Sequence, residues 1–290
     1  MLRKEKISDV RPGEAMNVED ENKVALIPSQ PTALSRAGAA SLASRGLNDL
    51  LESEFVDDWC QKGTESWNQH EHAAAMRWFR MAADKGDAKA MFSIGCLYDS
   101  GYGVATDHEE AMSWWRKAAE QGYARAHYML GAAYYSGESV LQDKAEALRW
   151  FLKSAELGYT GAQYDLGSRY ETGTGGVSKD EAEAVHWYRK AAEQGFAPAQ
   201  LSLGMQYLYG EGVAKDDAEA YFWISLAALI STSNDEYITS KRDKAGTTLT
   251  PEKRLEIQER CREWVKAHPT VHGWAGIASA KRNPRLTTPR

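Results

Sequence analysis

Seven histidines and three cysteines are the side chains of this 290-residue sequence with the widest chemical range. His268-Pro-Thr-Val-His272 has the two-histidine spacing of a zinc half-site, but a proline interrupts it and only Cys261 stands near it upstream. A closed zinc site takes four such ligands, so no metal is expected. Gly101-Tyr-Gly103, Gly173-Thr-Gly175 and Gly210-Glu-Gly212 resemble glycine loops that cradle phosphate. Each lies between helical stretches, without a preceding strand or a following Gly-Lys-Ser/Thr, and reads as a turn. No Ser-x-x-Lys occurs, which removes the penicillin-binding type of serine nucleophile. Cys60, Cys96 and Cys261 are too few and too far apart for a disulfide framework or a Cys-x-x-Cys clip. The expectation is a protein with no catalytic residue, cofactor or metal.

Charge narrows the partners. With 35 Lys+Arg against 41 Asp+Glu the net charge is −6, whereas a general nucleic-acid binder needs a basic field to release counterions. No apolar run approaches the roughly 20 residues that span a bilayer. The N-terminal stretch MLRKEKISDVRPGEAMNVEDEN carries charge where a signal peptide has its apolar region, so a cytoplasmic location is expected.

The elements that hold these residues follow a repeat. Gly95 returns as Gly131, Gly167 and Gly204, at intervals of 36, 36 and 37 residues. Trp78, Trp114, Trp150, Trp187 and Trp223 keep the same period, as do Ala75, Ala111, Ala147, Ala184 and Ala220. The extra residue falls near Gly173-Thr-Gly-Gly176, in a loop, where insertion is tolerated. Each unit reads as two helices. In the first, Ala90, Ile94, Gly95 and Tyr98 recur as Ala126, Leu130, Gly131, Tyr134, then Ala162, Leu166, Gly167, Tyr170, then Ala199, Leu203, Gly204, Tyr207. That spacing lies on one helical face. Glycine inside a helix costs about 1 kcal/mol, so its return at each period points to close helix approach under a neighbouring aromatic ring.

The first helices end at Gly101, Gly137, Gly173 and Gly210, suited to a left-handed cap. The second helices start at Asp107, Asp143, Asp180 and Asp216, each followed three residues on by Glu110, Glu146, Glu183 or Glu219. This is a capping-box pattern, with Asp accepting first-turn amides and Glu reaching back to the cap amide. Ala111, Trp114, Trp115 and Ala118-Ala119 form the inner face of a second helix, and most of the aromatic residues are read as core.

The pattern Ala-x-Ala-x3-Leu-Gly-x2-Tyr-x2-Gly-x-Gly-Val-x2-Asp-x3-Ala-x2-Trp-x2-Lys-Ala-Ala-Glu-x-Gly resembles the Sel1-like repeat, a relative of the tetratricopeptide repeat. Four repeats are expected in 87–230 (87–122, 123–158, 159–195 and 196–230), behind a degenerate first repeat at 51–86 whose first helix lacks the Leu-Gly-x2-Tyr signature. The resemblance implies an all-α, right-handed solenoid of helix-turn-helix repeats with terminal capping helices and a concave surface that holds a peptide or protein. It also implies a bacterial source. Cysteine-rich relatives linked to β-lactams carry a cysteine pair per repeat; this chain has only Cys96 in the strong array, so a β-lactam-binding or -hydrolysing enzyme is the least supported alternative.

Residues 1–50 carry seven basic and seven acidic side chains without a sustained period, and read as disordered, with a weak helix at 34–51. Segment 231–267 reads as capping helices, one at 236–245 and one starting at Thr250-Pro251, whose Ile257, Cys261, Trp264 and Val265 cover the end of the stack. From Lys266 to Arg290 there are five basic residues and no acidic one, and 268–290 reads as a disordered basic tail. An adaptor that meets nucleic acid or lipid through this tail is the second reading of function.

The first reading is an interaction scaffold. If Ala90, Ile94 and Tyr98 point inward, positions such as Lys89, Ser93, Cys96 and Ser100 point away, and the equivalent positions do not follow the repeat. Lys89, Ser93, Arg125, Met129, Asp165, Ser168, Ser202, Met205 and Tyr209 are therefore the candidate partner-binding residues. Arg125 would pair with a carboxylate, and the methionines and Tyr209 would give adaptable apolar contact.

Overall fold

A computed structural model describes residues 45–230 and 236–269. The rest of the N-terminal segment, residues 231–235 and the basic tail after residue 269 lie outside the described residues. Among those described there are twelve helices and no strand. They are α1 (Arg45–Asn68), α2 (His72–Ala83), α3 (Ala88–Ser100), α4 (His108–Glu120), α5 (Ala124–Ser136), α6 (Lys144–Glu156), α7 (Thr160–Thr172), α8 (Glu181–Glu193), α9 (Ala197–Tyr209), α10 (Asp217–Ile230), α11 (Glu236–Gly246) and α12 (Pro251–Ala267). α1 starts at Arg45, inside the segment read as disordered.

The described residues divide into two compact units, 45–130 with Glu138–Val140, and Gly131–Gly137 with the described residues from Leu141 on. α5 contributes residues to both. In each unit, consecutive helices pack on their sequence neighbours, α1 on α2 on α3 on α4 in the first and α6 on α7 through α10 in the second. The architecture is a helical repeat solenoid.

Small residues set the spacing of each pair. Ala75, Ala111, Ala147, Ala184 and Ala220 are fully buried, as are Ala90, Ala126, Ala162 and Ala199. The periodic glycines lie where a second helix crosses. A Cβ on Gly131 would stand 2.8 Å from the Phe151 ring and 3.2 Å from the Ala147 carbonyl; on Gly167 it would stand 2.5 Å from the Tyr188 ring. Gly95 meets Trp115 in the same way, and Gly204 meets the aliphatic Ile224 instead of a ring. The side chain over each glycine is thus the one after the periodic tryptophan. Phe79, Trp115, Phe151, Tyr188 and Ile224 are buried, whereas Trp78, Trp114 and Trp150 are only half-buried. Lys62 lies over Trp78 at 5.1 Å and Lys117 over Trp114 at 4.0 Å, so those tryptophans serve as platforms for cations at the surface.

The second-helix caps combine an anticipated device with an unanticipated one. Asp143 Oδ1 accepts the amides of Ala145 and Glu146 at 2.9 Å, and Asp180 and Asp216 repeat the arrangement one turn into their helices. The cap amides, however, are not bonded by the glutamates. They donate to the lattice tyrosines' carbonyls: Asp107 to Tyr98, Asp143 to Tyr134, Asp180 to Tyr170 and Asp216 to Tyr207, at 2.8–3.0 Å. The glutamates are left for other work, Glu110 accepting the Trp114 indole N–H at 2.9 Å and Glu219 pairing with Arg260. Asp180→Ala is expected to cost about 1 kcal/mol, read as a fall of roughly 2–4 °C in the far-UV melting midpoint.

At the C-terminal side of the second unit, α11 and α12 pack on α10. Thr250 caps α12, accepting the Lys253 amide at 3.2 Å, with Pro251 as the first helical residue. Ile257 and Cys261 are buried in a cluster with Tyr221, Phe222 and Ile224, and Trp264 and Val265 pack beside it.

Candidate partner-binding interface

The first helices present the residues that vary between repeats, and the structure sorts the nine candidates into three groups. Lys89, Arg125, Met129 and Ser168 are half-buried, each with some surface left to a partner. Tyr209 is 41% exposed at the end of α9. Ser202 and Met205 are also half-buried, but are engaged inward: Ser202 lies close to the Tyr164 and Tyr188 phenols, and Met205 packs on the core of the second unit.

Ser93 and Asp165 are not surface residues. Ser93 is 4% exposed and its hydroxyl donates to the Lys89 carbonyl at 2.9 Å; Cys96, one turn on, is 1% exposed. Helix angles alone require one covered face, but α3 is covered on two. Trp115 of its own repeat lies on one side, and Tyr123 and Arg125 of the next approach the Phe92 ring at 5.2 and 5.4 Å. Asp165 is 7% exposed and accepts from Arg169 Nε at 2.8 Å. The Arg169 guanidinium lies 4.5 Å from the centroids of both Tyr135 and Phe151. Burial pushes the Asp165 carboxyl above its ordinary value, and the guanidinium opposes that shift. This is an internal ion pair that locks α7 against the rings of the preceding repeat.

A second internal network follows on the same helix. Tyr188 donates to one oxygen of Glu171 at 3.0 Å and Gln206 Nε2 to the other at 2.8 Å, which ties α7, α8 and α9 together. Gln163 and Gln200 donate to the carbonyls of Ala155 and Ala192 at 3.0 and 3.1 Å, adding a side-chain bond to second-helix C-terminal carbonyls that also accept the amides of Gly158 and Gly195. These roles were not read from sequence, although Gln163 and Gln200 stand one period apart and directly after the lattice alanines.

The groups that would have to carry chemistry are placed for packing. Cys60, Cys96 and Cys261 are buried, and burial pushes each thiol up to about 12, so they stay protonated at neutral pH. Folded protein at pH 8 is expected to react with 5,5′-dithiobis(2-nitrobenzoate) over hours rather than minutes, and all three thiols to react at once in guanidinium. His268 stacks on Trp264 with ring centroids 4.0 Å apart and bonds the Trp264 carbonyl through Nδ1. Its sequence partner His272 lies outside the described residues. Among the described residues no group of three or more His, Cys, Asp or Glu side chains is arranged to hold a metal. No helix among them is long and apolar enough to cross a membrane.

Paired helices with glycine at each crossing, alanine beneath it and an Asp cap on the second helix define a helical repeat protein of the Sel1 type. The Sel1 repeat profile matches residues 60–87, 88–123, 124–159, 160–196 and 197–229, and the chain belongs to the Sel1 repeat family. It is similar to a Sel1 repeat protein from Oxalobacter formigenes, at 28% identity and a TM-score of 0.57, over 72% of this chain and 87% of that one. A protective antigen of uropathogenic Escherichia coli with an SLR fold matches at 27% identity and a TM-score of 0.46, over 76% of this chain and 54% of that one. Comparison with curated proteins finds no match.

Proposed function

We propose that this chain is a non-catalytic scaffold that binds a peptide or folded protein on the first-helix faces of its repeats. The observation that carries the reading is the division of labour within α3, α5, α7 and α9. Their inward positions keep one pattern: Ala90, Ala126, Ala162 and Ala199 are fully buried, with Ile94, Leu130, Leu166 and Leu203 beside them. Their remaining accessible positions carry Lys89, Arg125, Met129, Ser168 and Tyr209, which differ in charge, size and polarity. A repeat stack needs its core repeated for stability, while its exposed positions are free to specify a partner. Side chains of this kind form adaptable contacts from methionine and tyrosine and directed ones from arginine.

The experiment is affinity capture from the native cell, quantified by mass spectrometry, with wild type and a Lys89→Glu, Arg125→Glu, Ser168→Arg variant whose melting curve matches wild type. A partner is expected to be recovered with wild type and depleted with the variant. Equal recovery by both would reject these faces as the contact, and turnover of a small molecule by purified protein would reject the non-catalytic scaffold.

A further inference from the structure

In the second unit, the end of α9 and the outer side of α11 bring together two exposed tyrosines and two lysines. Tyr209 is 41% exposed and Tyr237 39%. Lys241 Nζ donates to the Tyr209 hydroxyl at 2.9 Å, and lies 5.5 Å from the centroid of that ring and 5.1 Å from that of Tyr237. Lys244 Nζ lies 4.7 Å from the Tyr209 centroid. The hydrogen bond from Lys241, together with the charges of both lysines, holds the Tyr209 phenol below its ordinary range. The same bond raises the Lys241 ammonium.

Among the described residues the cluster is rich in donors and lacks an acceptor of matching charge. Among the described residues neither lysine has a carboxylate within ion-pair distance, whereas Lys179, Lys215 and Lys253 each have one. The acidic neighbour Asp243 is paired with Arg242 at 2.7 Å. Because Lys241 donates to the Tyr209 oxygen, the phenol proton is left to donate outward, alongside the remaining ammonium protons. Convergent O–H and N–H donors at a single point match one carboxylate. The flanking rings supply apolar surface for the methylene groups that carry it. On a chain of net charge −6, this short cationic spot favours a local acidic group over an extended polyanion, whose remaining charges would be repelled.

We propose that Tyr209, Lys241 and Lys244, flanked by Tyr237, form a docking platform for an acidic segment of a protein partner, with one Asp, Glu or C-terminal carboxylate seated between the lysines. This deepens the scaffold reading and rests on it, since it names the chemistry of one partner contact.

The test is fluorescence anisotropy of a labelled peptide of alternating Glu and Ala, at low and at physiological salt. Lys241→Gln with Lys244→Gln is expected to weaken binding about ten-fold, the effect of neutralising two exposed cations at one contact. Tyr209→Phe, which keeps the ring and loses the donor, is expected to weaken it about three-fold. Lys253→Gln, an exposed lysine of α12 held by Glu256, is expected to change it by less than about two-fold. Unchanged affinity in the double variant, an equal loss in Lys253→Gln, or no binding of the peptide to wild type would each overturn the platform. So would displacement of the peptide by inorganic phosphate at concentrations where acetate has no effect, which would assign the spot to phosphate. None of these outcomes touches Lys89, Arg125 or Ser168, so the platform fails separately from the scaffold.

Discussion

Gly131→Leu is expected to lower the thermal midpoint by roughly 6–12 °C, corresponding to about 3 kcal/mol of overpacking. Two effects oppose each other at this site. Leucine is the better helix former by about 0.8 kcal/mol, which alone would stabilise α5. The first added carbon, however, would stand 2.8 Å from the Phe151 ring and 3.2 Å from the Ala147 carbonyl. Phe151 is 2% exposed and Ala147 fully buried, so neither the ring nor the backbone has room to retreat. The clash wins. Phe151→Ala opens the same space from the other side and should itself cost about 3–5 kcal/mol. The double variant should lose at least about 1 kcal/mol less than the sum of the two single losses, because each change relieves the other. Additive losses, or an unchanged midpoint for Gly131→Leu, would show that α5 and α6 do not cross at this glycine. Repeat arrays can unfold in stages, so the comparison is of midpoints under one set of conditions.

Asp165→Asn is expected to destabilise the fold by about 3 kcal/mol, because breaking a buried ion pair leaves the other charge uncompensated. Arg169 would keep its guanidinium between Tyr135 and Phe151 with its side chain only 12% exposed, but without its counter-ion. Replacing both members, Asp165→Asn with Arg169→Met, should recover part of the loss by removing the stranded charge. An exposed partner-binding aspartate would behave differently, with a change within about 0.5 kcal/mol and an effect confined to binding. Thermal melting of the single and double variants separates the two. A midpoint for Asp165→Asn equal to wild type would return Asp165 to the partner-binding surface.

The features legible in the sequence are those that depend on one helix and its immediate pair. The Ala, Leu and Gly spacing of the first helices, the left-handed glycines that end them, and Asp at the start of the second helices each follow from local backbone geometry. The reading weakens where a third element decides. Ser93 and Cys96 lie off the repeated Ala, Leu and Gly positions, yet both are buried, with Trp115 of the same repeat beside Cys96 and Tyr123 and Arg125 of the following repeat against the adjacent Phe92 ring. Trp114 and Trp150 keep the period, but the rings after them, Trp115 and Phe151, take the buried place over the glycines. Gly63 of α1 fills the same place under Phe79, at 2.5 Å for an added Cβ, but it precedes Gly95 by 32 residues and so escapes a search at 36. The platform at Tyr209 could not be read at all, because Lys241 and Lys244 belong to α11, beyond the repeats, and no periodicity links them to α9.

The measurement that bears most directly on the scaffold is site-specific photocrosslinking in the native cell, with benzoylphenylalanine placed at Ser168 on a first helix and at Glu193 on a second. Both positions retain accessible surface, so both can report. A discrete protein adduct is expected from Ser168 and none, or a much weaker one, from Glu193. An adduct from Glu193 with none from Ser168 would contradict this expectation, and would move recognition to the second-helix side of the repeats.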